Sequence, residues 1–190
     1  MAIAIVGGRF DPIHIGHLIV AQDILEILKV NKVVFLLSHN PPHKPVFSSF
    51  EDRYNMIKLS IENFEKFEVW DIERKLNLEK SYTYLILIEI LKFVKEEIFL
   101  VIGSDEFENF KNWYRYEDIL KIVKLAVVQR PENPYSYSSD IVDRVIMIKN
   151  RIIQVSSSEI RKRIRKNMEF RFLVPYRVYE YIVEKKLYVH

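Results

Sequence analysis

One loop of the sequence combines two glycines with two histidines in an arrangement that suits phosphate chemistry. We refer to residues 7–17 as the Gly-His loop, and their sequence is Gly7-Gly8-Arg9-Phe10-Asp11-Pro12-Ile13-His14-Ile15-Gly16-His17. Glycines let backbone N–H groups approach phosphate oxygens closely, and the helix predicted to follow adds a partial positive charge at its start. His14 and His17 are three residues apart, so both imidazoles can lie on one side of that helix start. Two imidazoles placed on phosphate oxygens would stabilise the charge that develops during group transfer.

Two other interpretations fit parts of the Gly-His loop. A tight turn would leave both histidines facing solvent without a function. A zinc site would use the histidines as ligands, but it lacks a convincing third ligand, because Asp11 is expected to turn the loop. The combination of Gly-Gly, Phe-Asp-Pro and His-x-Gly-His favours phosphate binding over both alternatives, and no metal ligand is predicted among the protein side chains.

Residues elsewhere in the chain could complete such a site. Residues 156–158 are three serines at a predicted helix start and Arg161 follows them, which is a suitable cradle for β- and γ-phosphates. Lys44, on a loop stiffened by prolines, could meet a phosphate as a point charge. Trp113 offers a flat face on which an aromatic ring could stack, and Asp105 could hold Mg²⁺ through water or bond a sugar hydroxyl. The alternatives are a solvated lysine, a core tryptophan and a helix-capping aspartate.

Strands that alternate with helices must position these residues. Apolar runs predict strands at residues 2–6, 32–37, 67–72, 98–102, 125–128, 145–148 and 152–155. Helical spacing predicts helices at residues 15–28, 49–62 with Ser48 and Glu51 as a capping box, 83–95 and 116–122, and others that start at Ser156 and at Pro175. The alternation indicates an α/β fold with a Rossmann-like parallel sheet, helices on both faces and a small C-terminal helical part. Residues 1–190 are predicted to form one domain, with ligands beyond the carboxyl ends of the strands.

The composition narrows the functional classes. The chain has 190 residues, is 49% hydrophobic and contains no cysteine, which excludes disulfides, thiolate metal sites and a cysteine nucleophile. No signal peptide or membrane-spanning run is found, so a cytoplasmic protein is expected. The net charge is +3, and the basic run at residues 161–166 contains no aromatic residue. We therefore expect no nucleic-acid partner and interpret that run as a solvated helix face with one phosphate-facing arginine.

The Gly-His loop resembles the signature of adenylyltransferases in the nucleotidylyltransferase superfamily. His14-Ile15-Gly16-His17 is also similar to class I aminoacyl-tRNA synthetases, but their Lys-Met-Ser-Lys-Ser loop is absent. Residues 156–161 resemble the family's Ile-Ser-Ser-Thr-x-Ile-Arg segment. Segments that extend the resemblance to nicotinate mononucleotide adenylyltransferases are Pro41-Pro42-His43-Lys44, Ser81-Tyr82-Thr83, Ile102-Gly103-Ser104-Asp105, Trp113-Tyr114 and a tail that reaches Tyr188. Departures from the usual pattern are Arg9, Ser158 and Ser38-His39-Asn40.

The resemblance implies an ATP-dependent enzyme of NAD biosynthesis that transfers AMP to nicotinate mononucleotide. It places Mg²⁺ mainly on the ATP phosphates and assigns catalysis to His14, His17, Lys44 and Arg161. The predicted ATP-binding residues are Gly7, Gly8, Arg9, Phe10, His14, His17, Gly103, Asp105, Ser156, Ser157, Ser158 and Arg161. The predicted acceptor-binding residues are His43, Lys44, Thr83, Asp105, Trp113, Tyr114 and Arg130. Nicotinamide mononucleotide, pantetheine phosphate and non-catalytic RNA binding stay open as alternatives, and so does a homo-oligomeric state.

Overall fold

A computed structural model describes residues 1–39, 45–76, 82–130 and 141–190 of the chain. Its centre is a six-stranded sheet in the order β3-β2-β1-β4-β5-β6, and every neighbouring pair of strands is parallel. The strands are β1 (Ala2–Gly8), β2 (Lys32–Leu37), β3 (Phe67–Trp70), β4 (Glu97–Gly103), β5 (Lys124–Val128) and β6 (Val145–Ile148). The four strands from β2 to β5 along this order are rich in buried apolar residues, as is expected when helices cover both faces of a parallel sheet.

Eight helices connect and follow the strands in the described part of the chain. They are α1 (Ile15–Ile27), α2 (Phe50–Ile61), α3 (Ile72–Leu76), α4 (Thr83–Ile90), α5 (Ser104–Glu108), α6 (Tyr116–Ile122), α7 (Ser157–Arg165) and α8 (Tyr176–Glu184). The predicted α/β architecture is therefore confirmed, including the C-terminal helical part formed by α7 and α8. None of the described helices is long and apolar enough to cross a lipid bilayer.

The period-two alternation of the strands divides the core between the two faces of the sheet. Ala4 points toward α1, α2, α7 and α8, whereas Ile3 and Ile5 point toward α4, α5 and α6. In β2, Phe35 belongs to the first core and Val34 to the second. Apolar contacts thus cover both faces of the sheet, and the buried polar residues Asp11 and His14 follow the carboxyl end of β1.

The strand order reverses direction between β1 and β4, which is where open parallel sheets bind ligands. From β1 the chain passes to β2 on one side, whereas β4 lies on the other side, with Val6 of β1 opposite Val101. The loops that follow β1 and β4 consequently leave the sheet next to each other. The Gly-His loop and the segment after Gly103 meet at this edge.

Several predicted boundaries were wrong. The cap of α2 is Ser49, whose hydroxyl accepts the Asp52 N–H at 3.0 Å, so the predicted pairing of Ser48 with Glu51 is not formed. Ser48 is instead occupied by a bond to Asp11. Strand β3 ends at Trp70 and α3 begins at Ile72, inside the strand predicted for residues 67–72.

Three further differences concern the second half of the chain. The helix at residues 83–95 ends as α4 at Ile90, because the N–H groups of Lys92 and Phe93 bond three residues back in tight turns. Residues 152–155 form no strand, and the Arg151 N–H that precedes them is taken by the Asp23 carboxylate at 2.7 Å rather than by a neighbouring strand. The short helix α5 was not predicted.

Candidate active site

The backbone at the start of the Gly-His loop is accessible at the protein surface. Gly7 is exposed, and a Cβ added there would have no atom within 4 Å, so the site faces open space. A Cβ at Gly8 would lie 2.8 Å from the ring of Phe10, which shows why no side chain fits at that position. Phe10 has a φ of 48° and its ring is buried against Phe35 and His17. The Phe10 side chain therefore supports the loop from the core, and only its backbone could reach ATP.

His14 and His17 form a stacked pair at the start of α1. Their ring centroids are 3.7 Å apart, and the backbone N–H of His14 donates to Nδ1 of the His17 ring at 3.2 Å. Because Nδ1 of His17 is an acceptor, the neutral ring carries its proton on Nε2. His14 is buried and His17 is half-buried at the opening of the loop. The pair thus offers an oriented N–H donor with no net charge.

Burial and a nearby cation hold both imidazoles in the neutral form. Burial, followed by the charge of Arg130, lowers the pKa of His14 to about 3. Burial, followed by the charges of His14 and Arg130, also lowers the pKa of His17 well below its usual value. At neutral pH the positive charge beside the pair comes from Arg130.

The segment after β4 forms the opposite wall of a cleft beside the histidines. This cleft is lined by Gly7, His17, Gly103, Glu106 and Arg130, together with apolar residues of β1, β4 and β5. Arg130 Nε lies 3.7 Å from the Asp105 carboxylate, and the Arg130 N–H donates to the Ser104 hydroxyl at 2.9 Å. A Cβ at Gly103 would collide with the side chains of Asp105 and Arg130, so glycine lets the two meet over the strand end.

The serines that open α7 attach that helix to the Gly-His loop. Ser156 caps the helix by accepting the Glu159 N–H at 3.1 Å. Ser157 donates to the Pro12 carbonyl at 2.8 Å, and Ser158 accepts from Arg161 at 3.2 Å. All three hydroxyls therefore contact protein, whereas the N–H groups of Ser157 and Ser158 lie in the first helical turn, where no intrahelical partner exists.

Arg161 is buried rather than open to the cleft. Its guanidinium donates to the Asp11 carbonyl at 2.5 Å and lies 4.2 Å from the centroid of the Phe47 ring. Arg9 also connects two loop segments, because its guanidinium donates to the Pro45 carbonyl at 2.7 Å. Both cations hold loop segments together in this structure, and their predicted contacts with ATP phosphates stay predictions.

Asp11, Arg53 and Tyr188 form a buried polar cluster that the predicted site did not include. The Asp11 carboxylate accepts from the Phe47 N–H, the Ser48 hydroxyl and the Tyr188 hydroxyl at 2.6, 2.5 and 2.7 Å. Arg53 donates from α2 to the carbonyls of Arg9 and Ser38. The Phe-Asp-Pro segment of the Gly-His loop indicated Asp11, and the family resemblance reached Tyr188 without giving it a role, whereas no spacing or pattern indicated Arg53.

Three of the predicted acceptor-binding residues, Thr83, Trp113 and Tyr114, lie on the α4–α6 side of the molecule, whereas Asp105 and Arg130 lie at the cleft beside the histidines. Thr83 is the first residue of α4, and Tyr82 before it packs on Tyr114 with ring centroids 4.8 Å apart. Trp113 is half-buried against Phe110 at 5.3 Å. The first turn of α4 contains no acidic residue. His43 and Lys44 lie outside the described residues.

The described side chains suit polyphosphate chemistry better than a dedicated metal cage. No group of three or more His, Asp or Glu side chains within the described ranges could hold a metal ion. The site instead combines accessible backbone at Gly7, neutral imidazole donors, the Arg130 cation and the start of α7. Such donors bind phosphate oxygens and stabilise charge that develops on them.

Comparison with known proteins agrees with this arrangement. The family model described as cytidylyltransferase-like matches residues 5–163. A protein of Caldicellulosiruptor saccharolyticus named probable nicotinate-nucleotide adenylyltransferase is 39% identical over 99% of both chains. A protein of Borrelia turicatae with the same name is 38% identical and covers 100% of this chain and 98% of its own.

A solved structure shares the fold. Plasmodium falciparum nicotinic acid mononucleotide adenylyltransferase in complex with NaAD superposes with a TM-score of 0.80 at 22% identity, covering 98% of this chain and 97% of that one. Matched motifs, full-length identity to the relatives and the shared fold lead to one assignment. The chain belongs to the cytidylyltransferase-like family and, within it, to the nicotinate-nucleotide adenylyltransferases.

Proposed function

We propose that this enzyme transfers the adenylyl group of ATP to nicotinate mononucleotide, producing deamido-NAD⁺ and pyrophosphate. The observation that carries the proposal is the neutral, stacked pair of His14 and His17 beside exposed Gly7 at the strand-order reversal. The names of the full-length relatives support the choice of reaction. A solved structure of a protein with this fold was obtained with NaAD, which supports the acceptor class.

ATP would lie across the carboxyl edge of the sheet, with its phosphates toward the Gly-His loop. Backbone at Gly7, Nε2–H of His17 and the first N–H groups of α7 supply donors for phosphate oxygens. Gly103, Asp105 and Arg130 form the other wall, where Asp105 suits a ribose hydroxyl and Arg130 suits a phosphate. Mg²⁺ would be held mainly by the ATP phosphates and would there supply positive charge that offsets the charge of the leaving pyrophosphate.

The reaction needs positioning and charge stabilisation rather than a covalent enzyme intermediate. An oxygen of the acceptor 5′-phosphate attacks the α-phosphorus of ATP, and the bond between that phosphorus and the α–β bridging oxygen breaks, releasing pyrophosphate. A phosphate is already ionised at neutral pH, so no general base is required. His17 donates its Nε2–H to an oxygen whose negative charge grows in the transition state.

The acceptor would bind on the α4–α6 side. The first turn of α4 at Thr83 carries partial positive charge and no acidic residue, which favours a carboxylate there over an amide. Tyr114 and Trp113 supply aromatic faces for the pyridine ring. His43 and Lys44 are proposed to contact the acceptor phosphate on the resemblance of the sequence alone.

Arg161 would act on the leaving pyrophosphate chiefly through the loop that it holds. Its bonds to the Asp11 carbonyl and to Ser158 fasten the Gly-His loop to α7, so that donors from both elements face the same phosphates. This role is a refinement of the direct contact expected from the sequence. It leaves the first turn of α7 as the direct anchor of the leaving group.

Labelled ATP tests the reaction type. Incubation with Mg²⁺, nicotinate mononucleotide and ATP labelled at the α-phosphorus should transfer the label to a dinucleotide, whereas label at the γ-phosphorus should appear in pyrophosphate. Omission of the acceptor serves as the control and should give neither product. Transfer of the γ-label to the acceptor would indicate a kinase and would refute the proposal.

A further inference from the structure

The segment after α8 reaches back to the active-site loop over a long distance in sequence. Tyr188 is buried, with a φ of 64°, and its hydroxyl donates to Oδ1 of Asp11, 177 positions earlier, at 2.7 Å. The same Oδ1 accepts from the Ser48 hydroxyl at 2.5 Å, and the two hydroxyl oxygens are 3.0 Å apart. One carboxylate oxygen therefore joins three distant parts of the chain.

Asp11 can hold these three parts of the chain together because its carboxylate is buried. Its exposed fraction is 1%, so water cannot replace a lost donor at low cost. The second oxygen, Oδ2, accepts from the Phe47 N–H at 2.6 Å. Burial, followed by the charge of Asp11, raises the pKa of Tyr188 far above its usual value, so its hydroxyl stays a donor at every working pH.

Segment 45–48 is the part of the chain that these bonds hold in place. Its Pro45 carbonyl accepts from Arg9, its Phe47 ring packs on the Arg161 guanidinium, and its Ser48 hydroxyl bonds Asp11. On the other side, the Ser38 carbonyl accepts from Arg53 at 2.7 Å. Ser38, whose N–H also bonds the Gly8 carbonyl at 3.0 Å, and segment 45–48 are thus both attached to the Gly-His loop, and in sequence they flank the residues proposed to contact the acceptor phosphate.

We propose that Tyr188 is a positioning residue, which holds segment 45–48 on Asp11 and thereby sets the affinity for the phosphorylated acceptor. The link to acceptor affinity rests on the proposed function. Tyr188 is too far inside the protein to contact substrate, since only 6% of it is exposed. Its effect passes through Asp11 to Ser48 and Phe47, so its removal should weaken acceptor binding more than ATP binding.

Tyr188→Phe removes only the hydroxyl, and Tyr181→Phe is a matched control. Tyr181 lies on α8, and its hydroxyl donates to the Asp52 carboxylate on α2 at 3.0 Å without contact to Asp11. Both variants lose one hydroxyl–carboxylate bond between the C-terminal region and the rest of the protein. Because Tyr188 and Asp11 are buried whereas Tyr181 and Asp52 are half-buried, we expect the larger decrease in melting temperature in Tyr188→Phe, and both variants are therefore compared well below their melting temperatures.

Amide hydrogen exchange and steady-state kinetics test the proposal together. In Tyr188→Phe, exchange of the Phe47 amide without substrates should accelerate about tenfold, the size expected from one hydrogen bond to a charged group. The KM for nicotinate mononucleotide should rise by about the same factor, with the KM for ATP unchanged within about twofold. In Tyr181→Phe, both quantities should stay close to those of the unmodified enzyme.

Equal Phe47 exchange in the two variants would overturn the proposal, and so would an equal rise in both KM values of Tyr188→Phe. The exchange measurement does not depend on turnover. If nicotinate mononucleotide proves not to be the acceptor, the proposed function fails in the unmodified enzyme, whereas the comparison of Phe47 exchange still decides whether Tyr188 anchors the segment.

Discussion

The backbone N–H of His14 sets the tautomer of His17, which matters because a phosphate oxygen needs a hydrogen-bond donor. The His14 N–H occupies Nδ1 of His17, so the proton of the neutral ring is on Nε2. Burial keeps the ring from gaining a second proton, as the direction of its pKa shows. A neutral donor with fixed orientation stabilises developing charge without first having to reorganise.

The first prediction concerns this donor. His17→Ala should lower kcat by about 10²-fold or more, in line with loss of one preorganised donor. Steady-state assays of pyrophosphate release measure the change in kcat. His190→Ala provides the control, because His190 is an exposed histidine. Unchanged kcat in a folded His17→Ala protein would remove His17 from the mechanism.

The second prediction concerns pH and follows from His14. Its pKa is about 3 in the folded protein and about 6.5 in an unfolded chain, so between these values the unfolded state binds more protons. The free energy of unfolding should therefore decrease as pH falls below 6.5, by up to about 1.4 kcal/mol per pH unit for this group. His17 acts in the same direction.

His14→Asn should reduce this pH dependence. Urea unfolding between about pH 4 and pH 6 should give a slope smaller by about one proton than that of the unmodified protein. The comparison cancels the contributions of carboxylates, which both proteins share. Identical slopes would show that His14 is not buried as a neutral ring.

Candidate site residues that lie close together in sequence could be recognised from their spacing, whereas contacts between residues far apart in sequence could not be predicted. His14, His17 and the serines before Arg161 are recognisable from their spacing, because that spacing is local. Asp11 and Tyr188 meet only because α8 folds over α2 and returns the chain to the Gly-His loop. The bond between the Arg161 guanidinium and the Asp11 carbonyl could not be predicted either, because the two residues are 150 positions apart.

At the scale of elements, the start of α7 combines capping with a proposed role in phosphate binding. Ser156 caps the helix, Ser157 bonds the Gly-His loop, and the free N–H groups of the first turn remain for phosphate. Arg163 is paired with Glu159 on the same helix, whereas Lys162, Arg165 and Lys166 are exposed. The basic run is thus split between one buried cation, one ion pair and a solvated face.

The third prediction separates these two roles of α7. Ser156→Ala should lower the free energy of unfolding by about 1 kcal/mol through loss of the cap. Ser49→Ala removes the equivalent cap of α2 and should cost a similar amount. Only Ser156→Ala should raise the KM for ATP, because α7, unlike α2, is proposed to contact the phosphates. Equal KM values for ATP in both variants would argue against α7 as a phosphate anchor.

Element types were well predicted and their ends less so. Strands with continuous apolar runs were found where expected, since burial on both faces requires such runs. Three of the four residues 152–155 are also apolar, but the Asp23 carboxylate takes the backbone donor just before them, and they add no strand to the sheet. The cap of α2 moved by one residue because Asp11 binds the Ser48 hydroxyl.

For the molecule as a whole, we propose that the ATP phosphates and the acceptor bind toward different helices. Helix α7 packs in the first core and Trp113 in the second, and Tyr114 packs on Tyr82 at the start of α4. The strand-order reversal between β1 and β4 brings both sides to one edge. Changes on one side should therefore alter the affinity of one substrate.

The fourth prediction tests this separation with the two tryptophans of the chain. Trp113→Ala should raise the KM for the acceptor and spare the KM for ATP, because an aromatic face for the pyridine ring is lost. Trp70→Ala, on β3, removes a comparable side chain outside the proposed site and should change neither KM. A selective loss of ATP affinity in Trp113→Ala would contradict the assignment.

The most direct test of the central claim compares two acceptors that differ in one group. Pyrophosphate release with ATP and Mg²⁺ should be measured side by side for nicotinate mononucleotide and nicotinamide mononucleotide. Because the start of α4 at Thr83 favours an anion, the account predicts a higher kcat/KM for the nicotinate compound. Release that is no faster with either acceptor than with ATP alone would contradict it.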